Sequence, residues 1–246
     1  MSSFYRLFRA ERIKLRRSRI WLLVLVSPLL AGLFEFVILQ SGEGEKDWLN
    51  VVIEMSYFHA LLFLPLLAGI FSATVCRSEH DSGGWKQLLA LPVQRTTVYL
   101  VKLFTVALLL LVTQLAFLGM MVAVGLVNGM GDSLPWDMIL RSTASGWLAT
   151  LPLAALQMAV SVGWSSFAAP LAVNVVLTLP NILVVNSAQY GPYYPWAQPF
   201  IAMIPRSGDS SFGALTLPLE TLLYVLVGGF LIFLAGGLTY FKRKEM

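Results

Sequence analysis

The sequence predicts an all-α integral membrane protein with six transmembrane helices. Three observations lead to this prediction: the composition, the number of long apolar stretches and the placement of the basic residues. Of the 246 residues, 57% are hydrophobic and 12% are charged, and the mean hydropathy is +0.75. Because soluble domains carry roughly 25% charged residues, lipid is the expected solvent. A soluble domain with an unusually apolar core is the alternative.

Six apolar stretches are long enough to cross a bilayer, which requires about 20 residues of helix. They are Ile20–Gln40, Tyr57–Val75, Val98–Val127, Ile139–Val162, Phe167–Asn186 and Pro218–Tyr240. The first has a basic flank, as a signal peptide does. Its apolar part is longer than the core of a signal peptide, and no A-x-A-like cleavage site follows it. We therefore expect residues 20–246 to form one six-helix domain.

The basic residues predict the orientation. All but Lys46, Arg141 and Arg206 of the 17 Lys and Arg residues lie before the first stretch, between the second stretch and the start of the third (with Lys102), or at the C-terminus. With six crossings these three regions share one side of the membrane, and the positive-inside rule assigns that side to the cytosol. Both termini and the loop 76–97 are therefore expected in the cytosol, whereas an odd number of crossings would separate them.

Residues 1–19 are predicted to form an amphipathic helix on the cytosolic surface of the bilayer. Apolar residues recur at Phe4, Leu7, Phe8, Ile13 and Leu15, and basic residues occupy the remaining face. Arginine and lysine there would lie near anionic head groups, so the expected partner is the bilayer and not a nucleic acid. The same helix could also line a groove for a cytosolic partner. The basic residues assigned to this surface are Arg9, Arg12, Lys14, Arg16 and Arg17.

No pattern in the sequence predicts catalysis. The stretch SGGWKQ lacks the spacing and the Ser/Thr of a phosphate-binding loop. Ser165 and Ser166 are expected at the cytosolic side and His59 near the outer end of the second helix, so they could not form a protease site. Histidine and cysteine do not cluster at metal-ligand spacing, and Cys76 alone cannot form an internal disulfide. We expect no catalytic residue, no metal and no cofactor bound by this chain.

Polar residues within the apolar stretches are few. Lys102, near the start of the third stretch, is expected to snorkel towards the surface. Gln114, Gln157 and Asn174 are interpreted as interhelical hydrogen-bonding residues and not as a substrate path. The absence of a charged relay through the midplane argues against a proton-coupled secondary transporter.

One polar segment, EHDSGGWKQLLALPVQR at residues 79–95, lies between two membrane-length stretches. Ser78 or Asp81 could cap a short helix, and Pro92 would stop it. Trp85, Leu88 and Leu89 form an apolar stripe at helical spacing. The pattern predicts a short amphipathic helix on the cytosolic surface, and a simple interfacial anchor held by Trp85 is the alternative.

This arrangement resembles the ABC-2 type permease subunits of ABC exporters, which have a cytosolic coupling helix between helices two and three. The family pattern there is an acidic residue, a Trp- or Thr-containing helix, L-x-x-P-V-x-R, and a Tyr- and Lys-containing entry to helix three. The matching residues are Glu79, Trp85, Leu89, Pro92, Val93, Arg95, Tyr99 and Lys102. The N-terminal E-x-x-K-x-x-R-S pattern is matched by Glu11, Lys14, Arg17 and Ser18. Gly83–Gly84 departs from the more helical run that is usual in the family.

The resemblance implies a permease that works with separate cytosolic ATPase subunits, which bind ATP and Mg²⁺. It also implies a second permease subunit, identical or paralogous, and a location in the bacterial cytoplasmic membrane. Trp85 and Leu88 would supply the apolar contacts of the coupling helix with the ATPase, and Glu79, Asp81 and Lys86 the polar ones. Leu89, Pro92 and Arg95 complete the implied contact set. A non-transporting six-helix membrane scaffold or assembly factor is the alternative function.

Residues 187–217 are too long and too apolar for a plain solvated loop. The stretch QYGPYYPWAQPFIAMIP contains five aromatic residues, and aromatic side chains favour the membrane–water interface. Within it, Tyr193–Pro205 resembles the outer loop of permeases that confer immunity to lantibiotics or bacitracin, which implies an amphiphilic peptide or lipid-like substrate. The resemblance to ABC-2 type permeases implies a re-entrant hairpin at residues 187–217. An aromatic belt that only anchors the flanking helices is the alternative. The implied lid residues are Tyr193, Tyr194, Trp196 and Phe200.

Overall fold

The computed structural model describes residues 3–16, 18–42, 44–80, 83–90, 92–131, 134–205 and 218–244. Within these ranges the regular structure is entirely helical, as predicted. A π-helical turn at His59–Phe63 and a 3-10 turn at Gly191–Tyr193 accompany the α-helices. The α-helices are α1 Ser3–Arg16, α2 Ile20–Ser41, α3 Trp48–Phe58, α4 Leu64–His80, α5 Gly84–Ala90, α6 Arg95–Val127, α7 Trp136–Gly163, α8 Ala168–Thr178, α9 Asn181–Val184, α10 Gln198–Met203 and α11 Leu219–Arg243.

Five helical segments of the described chain are long and apolar enough to cross a membrane. They are Ile20–Ser41, Trp48–His80, Arg95–Val127, Trp136–Gly163 and Glu220–Arg243. They correspond to five of the six predicted stretches, and most extend a few residues into polar flanking sequence. The hydrogen-bonding pattern of a helix continues past the last apolar residue, whereas a hydropathy limit stops there.

The second segment begins nine residues before the predicted start at Tyr57. Its first part contains Asn50, Glu54 and Ser56, which lowered the apolar character of that stretch. The carboxylate of Asp47 accepts a hydrogen bond from the backbone N–H of Leu49 and caps α3. His59 therefore lies well inside the helix, and not near its outer end as expected.

The fifth predicted stretch is not one continuous helix. It forms α8 and α9, which together span Ala168–Val184 and fall short of the length criterion met by the other five. Pro180 has no N–H to continue the helical ladder, and the chain turns at this point. At a rise of about 1.5 Å per residue, these 17 residues would cover roughly 25 Å.

Helices α7 and α11 run parallel to each other. A Cβ at Gly229 would lie 3.9 Å from Pro152, and one at Gly237 would lie 3.1 Å from Ala159. At the C-terminus the ammonium group of Lys244 donates to the carbonyls of Val162 and Gly163, each at 2.8 Å. Because both helices end at the same end of the bundle, the chain between them must return from that end to the other.

Part of the chain between α7 and α11 lies in the interior of the bundle. The indole N–H of Trp196 donates to the side-chain carbonyl of Asn174 at 2.8 Å. The carbonyl of Met203 accepts from the hydroxyl of Ser142, about two turns into α7. Residues 194–204 are therefore packed between helices and do not form a surface loop.

Candidate coupling site

The short helix α5 is held between two long helices. α4 ends at His80, α5 covers Gly84–Ala90, and α6 begins at Arg95. Gly83 has a φ angle of +63°, in the left-handed region that favours glycine. A Cβ on Gly84 would lie 3.0 Å from the Cα of Glu79. The glycine pair that departs from the family pattern thus permits a sharp turn from α4 into α5.

Trp85 fixes α5 to the bundle. Its side chain is only 6% exposed and packs edge-on against Phe241 of α11 at 5.2 Å between ring centroids. Its indole N–H donates to Nδ1 of His80 at 3.2 Å, while Nε2 of the same ring contacts the carbonyl of Ser161 at 3.0 Å. The expected docking role does not fit Trp85 in this conformation, because its ring is inside the protein.

Lys102 is the centre of a buried charge cluster. Its ammonium group lies 2.9 Å from Glu79 and 3.0 Å from Glu11, and it donates to the carbonyl of Val75 at 2.8 Å. The same group lies 5.5 Å from the ring centroid of Trp85. Lys102 is only 1% exposed, so it does not snorkel to the surface as expected. Its positive charge is retained inside because two carboxylates and a carbonyl surround it.

Lys14 of the N-terminal helix contacts both carboxylates that surround Lys102. Its ammonium group contacts Glu79 and lies 3.3 Å from Glu11. The hydroxyl of Ser78 donates to Glu79 at 2.6 Å. Glu79 therefore points into the protein and cannot serve as a free polar contact for a partner. We name Glu11, Lys14, Glu79 and Lys102 the charge cluster; it joins α1, α4 and α6.

The N-terminal helix packs on the bundle as well as facing solvent. Phe4 and Phe8 make edge contacts with Phe104 of α6 at centroid distances of 5.8 and 5.4 Å. Arg9, Arg12 and Arg16 are exposed. The predicted basic surface is therefore present at these three residues, Lys14 is shared with the charge cluster, and Arg17 lies outside the described residues.

The outward face of α5 matches the expected contact set only in part. Lys86, Gln87 and Ala90 are exposed, as is Pro92 just after the helix, while Leu88 is half-buried against the core. Asp81 and the side chain of Leu89 lie outside the described residues. Of the proposed contact residues, Lys86 and Pro92 are thus open to a partner, whereas Trp85 fixes α5 to the bundle and Glu79 is paired inside the charge cluster.

Arg95 and Lys244 connect the start of α6 with the ends of α11 and α7. The guanidinium of Arg95 donates to the carbonyls of Lys242 and Lys244 at 3.0 and 2.9 Å. Lys244 in turn contacts the end of α7. Arg95 therefore positions the start of α6 against the end of α11 and is only half-buried while doing so.

A second polar cluster lies where the second membrane segment is irregular. Pro65 has no N–H to bond the carbonyl of Leu61, and this carbonyl instead accepts from the Asn181 side chain at 2.7 Å. The Asn181 amide also reaches the carbonyl of Trp196 at 2.9 Å. Asn174 donates to the carbonyls of Pro65 and Leu66 at 3.0 and 3.2 Å.

These contacts anchor α8, α9 and the following segment on the break between α3 and α4. Gln157 donates to Asn174 at 3.0 Å, which confirms the predicted interhelical role of both residues. Gly69 permits the approach, because a Cβ there would overlap the Asn174 side chain. We name Asn174, Asn181 and Trp196 the asparagine clamp.

The four expected lid residues occupy different environments. Tyr193 is 66% exposed, whereas Trp196 and Phe200 are buried. The Tyr194 hydroxyl donates to the carbonyl of Leu177, and Phe200 packs against Tyr57 at a centroid distance of 5.0 Å. Of the four, only Tyr193 is thus fully available to a substrate outside this segment.

Glu11, Lys102, His80 and Asn181 were not selected as site residues from the sequence. Glu11, Lys14 and Lys102 did appear in the family patterns, and a charged residue inside an apolar stretch is a recognised indication of function. Their mutual contacts depend on helices far apart in the chain. Among the described residues, no group of three or more His, Cys, Asp or Glu side chains could hold a metal ion.

Comparison with known proteins agrees with this architecture. Residues 7–181 match the protein family described as ABC-2 family transporter protein. A search of curated proteins finds no match to the chain. The matched region includes the charge cluster, α5 and both asparagines of the asparagine clamp, and it covers most of the sequence. The chain therefore belongs to the ABC-2 family of transporter proteins.

Proposed function

We propose that the chain is the permease subunit of an ATP-driven exporter in the bacterial cytoplasmic membrane. The family is a membrane transport component, and membership implies an association with an ABC ATPase. The main supporting observation is that α5 is joined at both ends to membrane helices and that its Trp85 packs on Phe241 and beside Lys102 of the charge cluster. In this proposal ATP and Mg²⁺ bind the ATPase, and a second permease, identical or paralogous, completes the transport path.

We assign six crossings, with both termini in the cytosol. The parallel course of α7 and α11 supports a return crossing through α8 and α9. The broken helix can be shorter than a full span because the chain after it is packed inside the bundle. The basic residues gather at the end that holds the charge cluster, which the positive-inside rule assigns to the cytosol.

Force would pass from the ATPase to the membrane through α5. The exposed Lys86, Gln87, Ala90 and Pro92 form the contact face in this proposal. A push on this face would reach α4 through the hydrogen bond of Trp85 to His80, α6 through the contact of Trp85 with Lys102 and α11 through the contact of Trp85 with Phe241. Because α1 shares the charge cluster through Glu11 and Lys14, it would move with them.

The asparagine clamp would carry this movement to the opposite end. A π-helical turn and Pro65 interrupt the regular ladder between α3 and α4, and such irregularities allow the two parts of a helix to move relative to each other. Asn174 and Asn181 connect this break to the segment that contains Tyr193 and Trp196. A change of angle at the break would therefore shift the proposed re-entrant hairpin.

The proposed substrate is an amphiphilic antimicrobial peptide, of the lantibiotic or bacitracin type, or a lipid-like molecule. Exposed Tyr190 and Tyr193 would meet it near the membrane–water interface. Expression of the chain with its ATPase in a host that is sensitive to such peptides tests the proposed substrate class. If the susceptibility of the host is unchanged, the peptide substrate is rejected and the permease assignment stands.

The coupling proposal has a direct test. The full chain is purified in mild detergent, and mass spectrometry identifies the proteins that accompany it. The variant Gln87→Glu/Ala90→Glu places two carboxylates on the proposed contact face, and Ser165→Glu/Ser166→Glu adds two to the exposed α7–α8 turn at the same end. We expect an ABC ATPase to accompany the wild type and the second variant but not the first, since new charges in an interface must be desolvated. If wild-type protein brings no ATPase, the scaffold interpretation replaces this one.

A further inference from the structure

The N-terminal helix uses different faces for different contacts. Glu11 and Leu15 are buried against the bundle. Arg12 and Arg16, one helical turn apart, are exposed on another face. Glu11 and Glu79 form their ion pairs with Lys14 and Lys102. In the described part of the chain, no carboxylate forms an ion pair with either Arg12 or Arg16.

A cavity lies beside these two arginines, between α1 and the first turn of α2. Its volume is about 330 Å³, and its lining consists of Arg12, Ile13, Arg16 and Trp21. The indole N–H of Trp21 donates to the carbonyl of Leu15 at 3.2 Å, which fixes this wall of the cavity relative to α1. Two arginine side chains thus line one space together with an isoleucine and a tryptophan.

The residues around the cavity are of the kinds favoured at a membrane surface. Trp21 is 43% exposed and Ile13 is 59% exposed, and Leu22 and Leu25 continue an exposed apolar face along α2. Tryptophan favours the level of the lipid head groups. The apolar face of α2 would accept acyl chains, while the cavity receives the head group above them.

We propose that this cavity binds the phosphate group of an anionic phospholipid in the leaflet at the basic end of the bundle. Guanidinium groups bind phosphate oxygens through paired, charge-assisted hydrogen bonds. A soluble phosphate would use the arginines but not the apolar walls, whereas a phospholipid uses both. The bound lipid would hold α1 against the start of α2, next to the charge cluster. The proposal depends on the membrane location of the chain and not on its substrate.

Lipid binding to the purified full chain tests the proposal. Native mass spectrometry measures the dissociation constants for phosphatidylglycerol and for phosphatidylcholine with the same acyl chains, with and without millimolar inorganic phosphate. The test variant is Arg12→Gln/Arg16→Gln. The control is Arg6→Gln/Arg243→Gln, which removes the same charge from exposed positions at the same end but outside the cavity lining. Thermal unfolding establishes that each variant is folded.

We expect the wild type to prefer phosphatidylglycerol, and the test variant to bind it at least about tenfold more weakly. The control should change this affinity by less than about threefold. Equal affinity for the two lipids, or equal losses in the two variants, would overturn the proposal in favour of diffuse attraction. Full displacement of phosphatidylglycerol by inorganic phosphate would assign the cavity to a soluble anion instead.

Discussion

The ammonium group of Lys102 lies 2.9 Å from a carboxylate oxygen of Glu79, and both side chains are buried. The two residues belong to α6 and α4, the helices that hold α5 at its two ends. A buried ion pair is stable only when each charge keeps its partners. The two supports of α5 are therefore constrained to move together, with α1 joined to them through Glu11 and Lys14.

Removal of Lys102 should destabilise the protein strongly. In Lys102→Met, Glu11 and Glu79 keep only Lys14 between them, and loss of one partner of a buried pair typically costs about 3–5 kcal/mol. Thermal unfolding in detergent measures the effect. The double variant Lys102→Met/Glu11→Gln should recover part of the loss, because one unpaired charge is removed with its partner.

Arg141→Gln is the matched control for this experiment. It breaks the ion pair with Asp137, whose two side chains are 80% and 74% exposed, and such surface pairs contribute at most about 1 kcal/mol. If Lys102→Met unfolds at the same temperature as Arg141→Gln, the charge cluster does not stabilise the fold.

Trp85→Ala should reduce both stability and ATPase association. The substitution removes the contacts with Phe241 and the hydrogen bond to His80, and truncation of a buried tryptophan typically costs about 3–5 kcal/mol. Trp85→Phe keeps most of the packing, so it should be far milder. Membrane abundance and co-purified ATPase are measured together.

Trp164→Ala provides the comparison, because Trp164 is 46% exposed at the same end of the bundle. We expect Trp164→Ala to change neither membrane abundance nor the amount of co-purified ATPase appreciably. If Trp85→Ala leaves abundance unchanged but abolishes ATPase association, Trp85 contacts the ATPase directly and its ring must leave the position described here.

Asn181→Ala should loosen the break in the second membrane segment. The carbonyls of Leu61 and Trp196 would lose their partner, and an unsatisfied buried polar group costs about 1–3 kcal/mol. Hydrogen exchange measured by mass spectrometry should become faster in peptides that cover residues 58–69 and 191–204. Asn186→Ala is the control, since the exposed Asn186 side chain bonds the carbonyl of Ile182 one turn earlier and, within the described residues, reaches no other segment. Equal exchange in the two variants would argue against the asparagine clamp.

Cysteine labelling should establish the number of crossings. With Cys76 replaced by Ser, single cysteines are introduced at the exposed positions Lys46, Gln87, Ser165 and Gln189. A membrane-impermeant maleimide added to intact cells should label positions 46 and 189, and label 87 and 165 only after lysis. The pair 165 and 189 tests the broken fifth helix. If both label from the same side, α8 and α9 do not complete a crossing.

The sequence by itself determined the helical class and most of the long apolar helices, because hydropathy depends on composition over about 20 consecutive residues. It also predicted α5, since the stripe through Trp85 and the stop at Pro92 are local patterns. The start of the second membrane segment was missed because hydropathy, too, is a local property of the sequence. Asn50, Glu54 and Ser56 lower the local hydropathy, although the helix that contains them is capped by Asp47 and packed on its neighbours.

Only the tertiary structure decided which side chains face inward. From sequence, Trp85 and Glu79 are equally suited to a partner or to the bundle, and Lys102 to the surface or the interior. Their placement depends on Phe241, Glu11 and Lys14, which are distant in the chain. The hydrogen bond from the Asn181 side chain to the carbonyl of Leu61 likewise depends on the tertiary structure. Pro65 has no N–H for this carbonyl, so a residue from another segment must supply the donor. Periodicity shows that a helix has an apolar face, but the contacts of that face depend on helices brought together by folding.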